Sequence, residues 1–252
     1  MHFLRSRTIA VAGVLGLVVS ALAAVSTVGA QEQRPSQEEI EKIVRDYLLR
    51  EPEVLAEAFK RLQQKQSASA AMRSKQAIHD HRQALFADQA SPVEGNAQGK
   101  VTIVEFFDYR CVHCRSVAST IDQILSSNKS VRVVYKNFPV LGEPSVLAAR
   151  AAVAAQQQGG WPKLHRAMLT FNGDFTLDAL LALSSSVGLD SAKLKTDMMS
   201  PETDRTLQAN MTLAAALGLD ATPSFVIGDR VIRGALSADA FQALVDEEAG
   251  KR

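Results

Sequence analysis

Apolar residues recur at three- and four-residue intervals after Ser36: Ile40, Ile43, Val44, Tyr47 and Leu48. That period predicts an amphipathic helix. Ser36-Gln37-Glu38-Glu39 has the form of a capping box that opens it, the serine capping the helix while the glutamate reaches back. Arg50-Glu51-Pro52-Glu53 breaks the pattern, and Pro52 suits the first turn of a second helix. A second stripe follows at Val54, Leu55, Ala58, Phe59 and Leu62. From Gln63 to about Leu85 the chain is rich in Gln, Ala, Ser and Lys, compatible with helix but poor in large apolar side chains. A segment this short rarely builds a core alone. Its stripes need another surface, either the rest of the chain or further copies of themselves.

Ser91 to Lys100, "SPVEGNAQGK", reads as a turn-rich boundary. Beyond it "VTIVEFF", Val101 to Phe107, is β-branched and almost wholly apolar, as in a strand buried on both faces. A helix is expected from about Cys111 to Ser127, then a second buried strand, "VRVVYKNF", Val131 to Phe138. Strand, helix and strand make a βαβ unit. A long helical region follows, broken by Gly, Asn-Gly and Pro. Ser224 to Ile227 and Arg230 to Ile232 then flank Gly228-Asp229 as a hairpin, and a helix capped at Ser237 closes the chain. The fold class is α/β, with a helical segment over 31–90 ahead of a domain over 91–252.

The first thirty residues are of another kind. Arg5 and Arg7 precede an apolar run from Ile9 to Ala24, and Val28 and Ala30 end it in a V-x-A arrangement. This is the form of a secretory signal peptide over 1–30, cleaved after Ala30; an uncleaved membrane anchor is the alternative. The expected location is periplasmic or otherwise secreted. The chain has 28 Lys plus Arg and 27 Asp plus Glu; the leader holds two of the bases and no acid, which leaves 26 against 27. A balance this even gives no sign of a nucleic-acid partner.

The chain has two cysteines, Cys111 and Cys114. Two cannot staple a domain of this size, yet secretion brings them to a compartment where thiols oxidise. Cys111 follows a strand and opens a helix, where free N–H groups and the helix dipole favour a thiolate. It should be the exposed nucleophile, with Cys114, one turn on, as its shielded partner. Such a pair exchanges two electrons through a mixed disulfide. Zinc needs four ligands, and no second CxxC exists. His113, inside the motif, is either an exposed helical residue or a group that further favours the thiolate by charge or hydrogen bonding. Glu105 is costly to bury in an apolar strand. It is either a partly solvated residue or a carboxyl poised to take the Cys114 proton.

"VTIVEFFDYRCVHC" resembles the DsbA-like branch of the thioredoxin superfamily. The resemblance implies a thioredoxin fold with a helical insertion, here about 143–219, and a hairpin entered through a cis-proline at Thr222-Pro223 that helps bind substrate. It implies a thiol–disulfide oxidoreductase with no cofactor beyond the Cys111–Cys114 disulfide. The front end, "EEIEKIVRDYLLREPEVLAEAF", is similar to that of the ScsC copper-sensitivity suppressors and to Com1-type bacterial surface antigens. That likeness implies a homotrimer assembled through 36–62, disulfide isomerase or reductant activity on unfolded or misoxidised secreted proteins, and a membrane redox partner. It also carries an alternative, Cu(I) held by the two thiolates. DsbA has Pro-His between its cysteines and Val before its cis-proline; Val112-His113 and Thr222 here depart from it, and both departures argue against a dedicated oxidase.

Overall fold

A computed structural model describes residues 34–251. The leader and its cleavage site lie outside the described residues. Two compact units divide between Ala56 and Glu57. The first holds α1 (Gln37–Arg50) and the opening of α2 (Glu53–Asp80). The capping box is formed: the Glu39 N–H donates to Ser36 Oγ at 3.3 Å, and the Ser36 N–H donates to Glu39 Oε2 at 2.8 Å. No residue of α1 is buried, and Ile40, Ile43, Val44, Tyr47, Val54 and Leu55 all remain exposed.

The second unit is built on a five-stranded sheet in the order β1-β3-β2-β4-β5. These strands are β1 (Val93–Gly95), β2 (Val101–Phe107), β3 (Val131–Asn137), β4 (Ser224–Ile227) and β5 (Arg230–Arg233). β2 and β3 are parallel and joined by α4 (Val112–Ser127); every other pairing is antiparallel. Five helices, α5 (Glu143–Gln157) to α9 (Pro201–Ala216), separate β3 from β4, and α10 (Ala238–Ala249) ends the fold. This is a thioredoxin fold with a helical insertion between β3 and β4. One expectation needs correction. The stretch read as a turn-rich boundary contains β1, whose three residues pair with Arg132 to Val134. A strand that short, between Pro92 and Gly95, has too little apolar alternation to register as one.

Strand alternation sorts the core into two faces. Val101, Ile103 and Phe107 of β2, with Val131, Val133 and Tyr135 of β3, pack against α4, α6 (Trp161–Thr170) and α10. Val104, Phe106, Val134 and Val226 face the other way, toward Ile78 of α2, Leu85 of α3 (Arg82–Phe86) and Leu213 of α9. The later part of α2 is therefore a core element of the second unit, and Ser74 Oγ ties it to the Leu217 carbonyl at 3.2 Å. The same parity separates the two charged residues that β2 and β3 bury. Glu105 shares the α4 face with Ile103 and Phe107, whereas Lys136 shares the opposite face with Val134. Lys136 pairs with Asp88 at 2.6 Å, its side chain only 2% exposed.

Removing one member of a buried ion pair strands the other, at a cost of about 3–5 kcal/mol. Asp88→Ala should destabilise the protein by that order in chemical denaturation. Asp88→Ala combined with Lys136→Met should recover most of the loss, since an apolar chain of similar length then fills the site.

Candidate functional site

β2 ends at Phe107, and its next residue sets the turn. Asp108 is buried, and its carboxylate accepts from the Arg110 N–H at 2.8 Å, Val140 N–H at 2.9 Å, Leu141 N–H at 3.1 Å and Ser145 Oγ at 2.8 Å. Four donors on one carboxylate fix the chain between β2 and α4 to the chain between β3 and α5. Arg110 repeats the tie by donating to the Leu141 carbonyl. The turn delivers Cys111 as the N-cap of α4, where its Sγ accepts from the Cys114 N–H at 3.4 Å. The sulfur thus sits at the amino end of the α4 dipole.

Across the site, Thr222-Pro223 is a cis peptide bond, and Cys111 Sγ donates to the Thr222 carbonyl at 3.2 Å. Cys111, Cys114, Thr222 and Pro223 are thus brought together. Both sulfurs are free thiols. Cys111 is not the exposed residue expected from its place at a helix start: it is 7% exposed against 2% for Cys114, because the Thr222 loop closes over it. The difference in shielding keeps the expected sense but is small. Val112 and His113 are exposed on the first turn of α4, and the His113 side chain makes no hydrogen bond or ion pair among the described residues.

Glu105 lies beneath this turn, on the face toward α4, 3% exposed and with no hydrogen-bond or ion-pair partner among the described residues. It is not the partly solvated residue allowed by the first reading. Burial, reinforced by the Glu94 carboxylate, pushes its pKa up to about 8. Burial, then the charge of Glu105, also pushes the Cys114 thiol well above the usual thiol range. Each group ionises more easily when the other is protonated, so the pair gives up its first proton far more readily than its second.

Sequence reasoning passed over the aromatic wall behind them. His165 of α6 stacks on Trp161 with ring centres 4.2 Å apart and shares a hydrogen bond of 2.9 Å between its Nδ1 and the Tyr109 hydroxyl. Burial, and then Arg166, lower its pKa to about 3, so the ring is neutral. Glu94 was missed as well, because it sits on the unrecognised β1; it accepts from the Tyr135 hydroxyl at 3.0 Å. A lone histidine in a helix and a glutamate in a loop give no sequence signal of convergence.

A dithiol at a strand-to-helix turn, one sulfur at the helix N-terminus and the other over a buried carboxyl, is equipped for thiol–disulfide exchange. Fold and site together define a protein of the thioredoxin-fold class. The comparisons agree: residues 87–247 match the thioredoxin family model, and the chain belongs to that family. Residues 37–69 match the model of the copper resistance protein ScsC N-terminal domain. Among solved structures, the chain is similar to a thioredoxin-like oxidoreductase from Silicibacter pomeroyi, with 40% identity and a TM-score of 0.65 over 68% of this chain and 98% of that one. It is similar to a linker-deleted ScsC mutant from Proteus mirabilis, with 27% identity and a TM-score of 0.68 over 91% and 100%. A periplasmic thioredoxin-like protein from Salmonella enterica serovar Typhimurium matches at 31% identity and a TM-score of 0.62 over 67% and 95%. The curated relatives are longer. A Na(+)/H(+) antiporter NhaA 1 of Salinispora arenicola is 24% identical over 155 residues, 61% of this chain but 24% of that protein. The chain thus spans about a quarter of its length, and no described helix is long and apolar enough to cross a membrane.

The raised Glu105 pKa fixes the sign of a stability effect. Between about 4.5 and 8 the folded chain keeps a proton that the unfolded chain releases, so stability from this group falls as pH rises through that window. Glu105→Gln should leave stability near pH 5 little changed. At pH 8.5 it should make the reduced protein more stable by about a few kcal/mol in denaturant titrations.

Proposed function

We propose that the protein is a secreted, periplasmic disulfide isomerase or reductant, assembled as a homotrimer, whose clients are misoxidised secreted proteins. The observation that carries this reading is the pairing of a Cys111 thiol set against the Thr222 carbonyl with an α1 whose Ile40, Ile43, Val44 and Tyr47 are exposed. Thr222 and Pro223 would hold an extended client by backbone hydrogen bonds. The Cys111 thiolate attacks a client disulfide; the client S–S bond breaks, one client sulfur leaves as thiolate, and a Cys111–client disulfide forms. Cys114 then gives its proton to Glu105 and attacks Cys111 Sγ. The Cys111–client bond breaks, the second client thiolate leaves, and the Cys111–Cys114 disulfide remains, so the client gains two electrons. If the client's own thiolate attacks first, the chain is released reduced and the client is isomerised without net electron flow. A membrane thiol–disulfide partner would restore the dithiol after reduction, and no cofactor is needed. His113 would add to the field at Cys111 by charge when protonated, and Val112 would leave the first turn of α4 open to the client.

Trimerisation serves isomerisation because several sites held around one client raise the effective concentration for the second exchange. The residues 36–62 supply the driving force, since full burial of a large apolar side chain is worth about 1.5–3 kcal/mol. A second reading, Cu(I) binding between the two thiolates, is favoured by the match to the copper resistance protein ScsC N-terminal domain. A DsbA-like dithiol oxidase is the remaining alternative within the class.

Refolding of a scrambled disulfide protein, with the reduction potential measured on the same sample, tests the reading. Turnover of scrambled disulfides is expected; stoichiometric Cu(I) uptake without turnover would establish the binding protein instead. Cys111→Ser should abolish exchange, whereas Cys114→Ala should trap client disulfides on Cys111, visible as a mass increase lost on reduction.

Ile43→Glu with Phe59→Glu should convert a trimer to monomers in sedimentation at micromolar concentration. It should lower isomerisation per site far more than simple dithiol reduction. These substitutions test assembly better than removal of everything before residue 89, because Ile78 and Leu85 are core residues and Asp88 pairs with Lys136. A wild-type protein that sediments as a monomer would sink the trimer.

A further inference from the structure

Behind Cys114 a cleft of about 350 Å³ opens between α4, α6 and the sheet. Cys114, Glu105 and Tyr135 are buried within it, and Glu94, Asp122 and Arg166 line its outer part. Arg166 is 57% exposed and spans the opening. Its guanidinium donates to Glu94 Oε1 at 3.2 Å and to Asp122 Oδ2 at 3.2 Å, which ties α6 to β1 and to α4. Glu94 also accepts from the Tyr135 hydroxyl, and Tyr135 is the register partner of Glu105 on the neighbouring strand. The buried carboxyl and the rim are thus joined by a space with room for several waters, each needing about 30 Å³.

A buried carboxyl without a hydrogen-bond partner among the described residues can take a proton from Cys114 in each turnover only if it can later release it. The geometry points to Glu94, Tyr135 and Arg166 as positioning residues for that release: water in the cleft carries the proton from Glu105 to the rim, and the Glu94–Arg166 pair sets the pH at which Glu105 exchanges it. The inference rests on the reading of Glu105 as the acceptor for Cys114. The step balances. Cys114 thiol and Glu105 carboxylate become Cys114 thiolate and Glu105 carboxylic acid. The thiolate forms the bond to Cys111 Sγ as the client leaves with the electron pair of the broken S–S bond. Glu105 then returns its proton to water at the rim.

The surroundings give the pair its leverage. The groups facing the cleft are Glu94 from β1, Tyr135 from β3, Cys114, Arg115 and Asp122 from α4, and His165 and Arg166 from α6. Tyr109 approaches from the β2–α4 turn through its bond to His165. Burial keeps His165 neutral and both tyrosines protonated. The remaining ionisable side chains are the acids Glu94 and Asp122 and the bases Arg115 and Arg166. Arg115 is spent on the Leu169 carbonyl and Asn172. Glu94 makes Glu105 hold its proton more tightly, and Arg166, bonded to Glu94, offsets that charge.

The test uses the full-length mature protein and its Glu105→Gln, Glu94→Gln, Arg166→Gln and Arg166→Lys variants. Glu105 is titrated by carbon NMR of glutamate-labelled protein, its signal identified by its absence in Glu105→Gln. In parallel, Cys111 is converted to the mixed disulfide with 5-thio-2-nitrobenzoate, and release of the coloured thiolate by Cys114 is timed across pH. Glu94→Gln should move both the titration midpoint and the midpoint of the rate profile down by about one pH unit, and Arg166→Gln should move both up by about as much. Arg166→Lys should restore most of the wild-type profile. If the pair only pinned α6 in place, both glutamine variants would lower the rate alike at every pH and leave the midpoints still, and that result would overturn the inference. A slowed Glu105→Gln with unmoved profiles for the rim variants overturns the relay alone. An unslowed Glu105→Gln overturns the acceptor reading itself, and the relay with it.

Discussion

Successive side chains of a strand point to opposite faces of the sheet, and on β2 this constraint arranges everything else. Residues 101, 103, 105 and 107 face α4, and residues 104 and 106 face α2 and α9. Glu105 therefore lies under the turn that bears the cysteines, while Lys136 on β3 is committed to the far face and to Asp88. A charge that could have neutralised Glu105 is one residue away from the parity that would allow it. The carboxyl is left buried and unpaired, and its high pKa follows from that placement. An apolar residue at 105 would pack more cheaply.

The turn above it is held by a second carboxylate with the opposite treatment. Asp108 is as buried as Glu105 but receives four donors. One acid is saturated and fixes geometry; the other is unsatisfied and available for chemistry. Because Asp108 binds the chain on both sides of the site, Cys111 is presented at the α4 N-terminus by a rigid frame rather than by a mobile loop. The Thr222 loop completes the frame from β4 and covers the sulfur more than a helix start alone would suggest.

The helical insertion contributes chemistry as well as bulk. α6 supplies His165 to the aromatic wall and Arg166 to the cleft rim, so the proton environment of Glu105 is shared between the sheet and the inserted helices. α2 divides its roles along its length. Its first residues carry an exposed apolar stripe, and its later turns bury Ile78 against the sheet.

Local pattern determined much of this protein. The capping box at Ser36, the buried strands at Val101 and Val131, the Gly228-Asp229 hairpin and the strand-to-helix position of Cys111 are all short-range features, and near neighbours in the chain are enough to specify them. The two cysteines and Glu105 were legible for the same reason, since a CxxC pair and a charge inside an apolar strand stand out. What the sequence could not display was convergence. Glu94, Tyr135, His165 and Arg166 come from three elements spread over seventy residues, and nothing local marks them as neighbours. β1 was too short to carry its own period and exists because β3 offers it an edge. The partner of Lys136, the isolation of Glu105 and the covering of Cys111 by Thr222 were decided by tertiary structure, because burial and pairing depend on which faces the packed sheet and helices bring together.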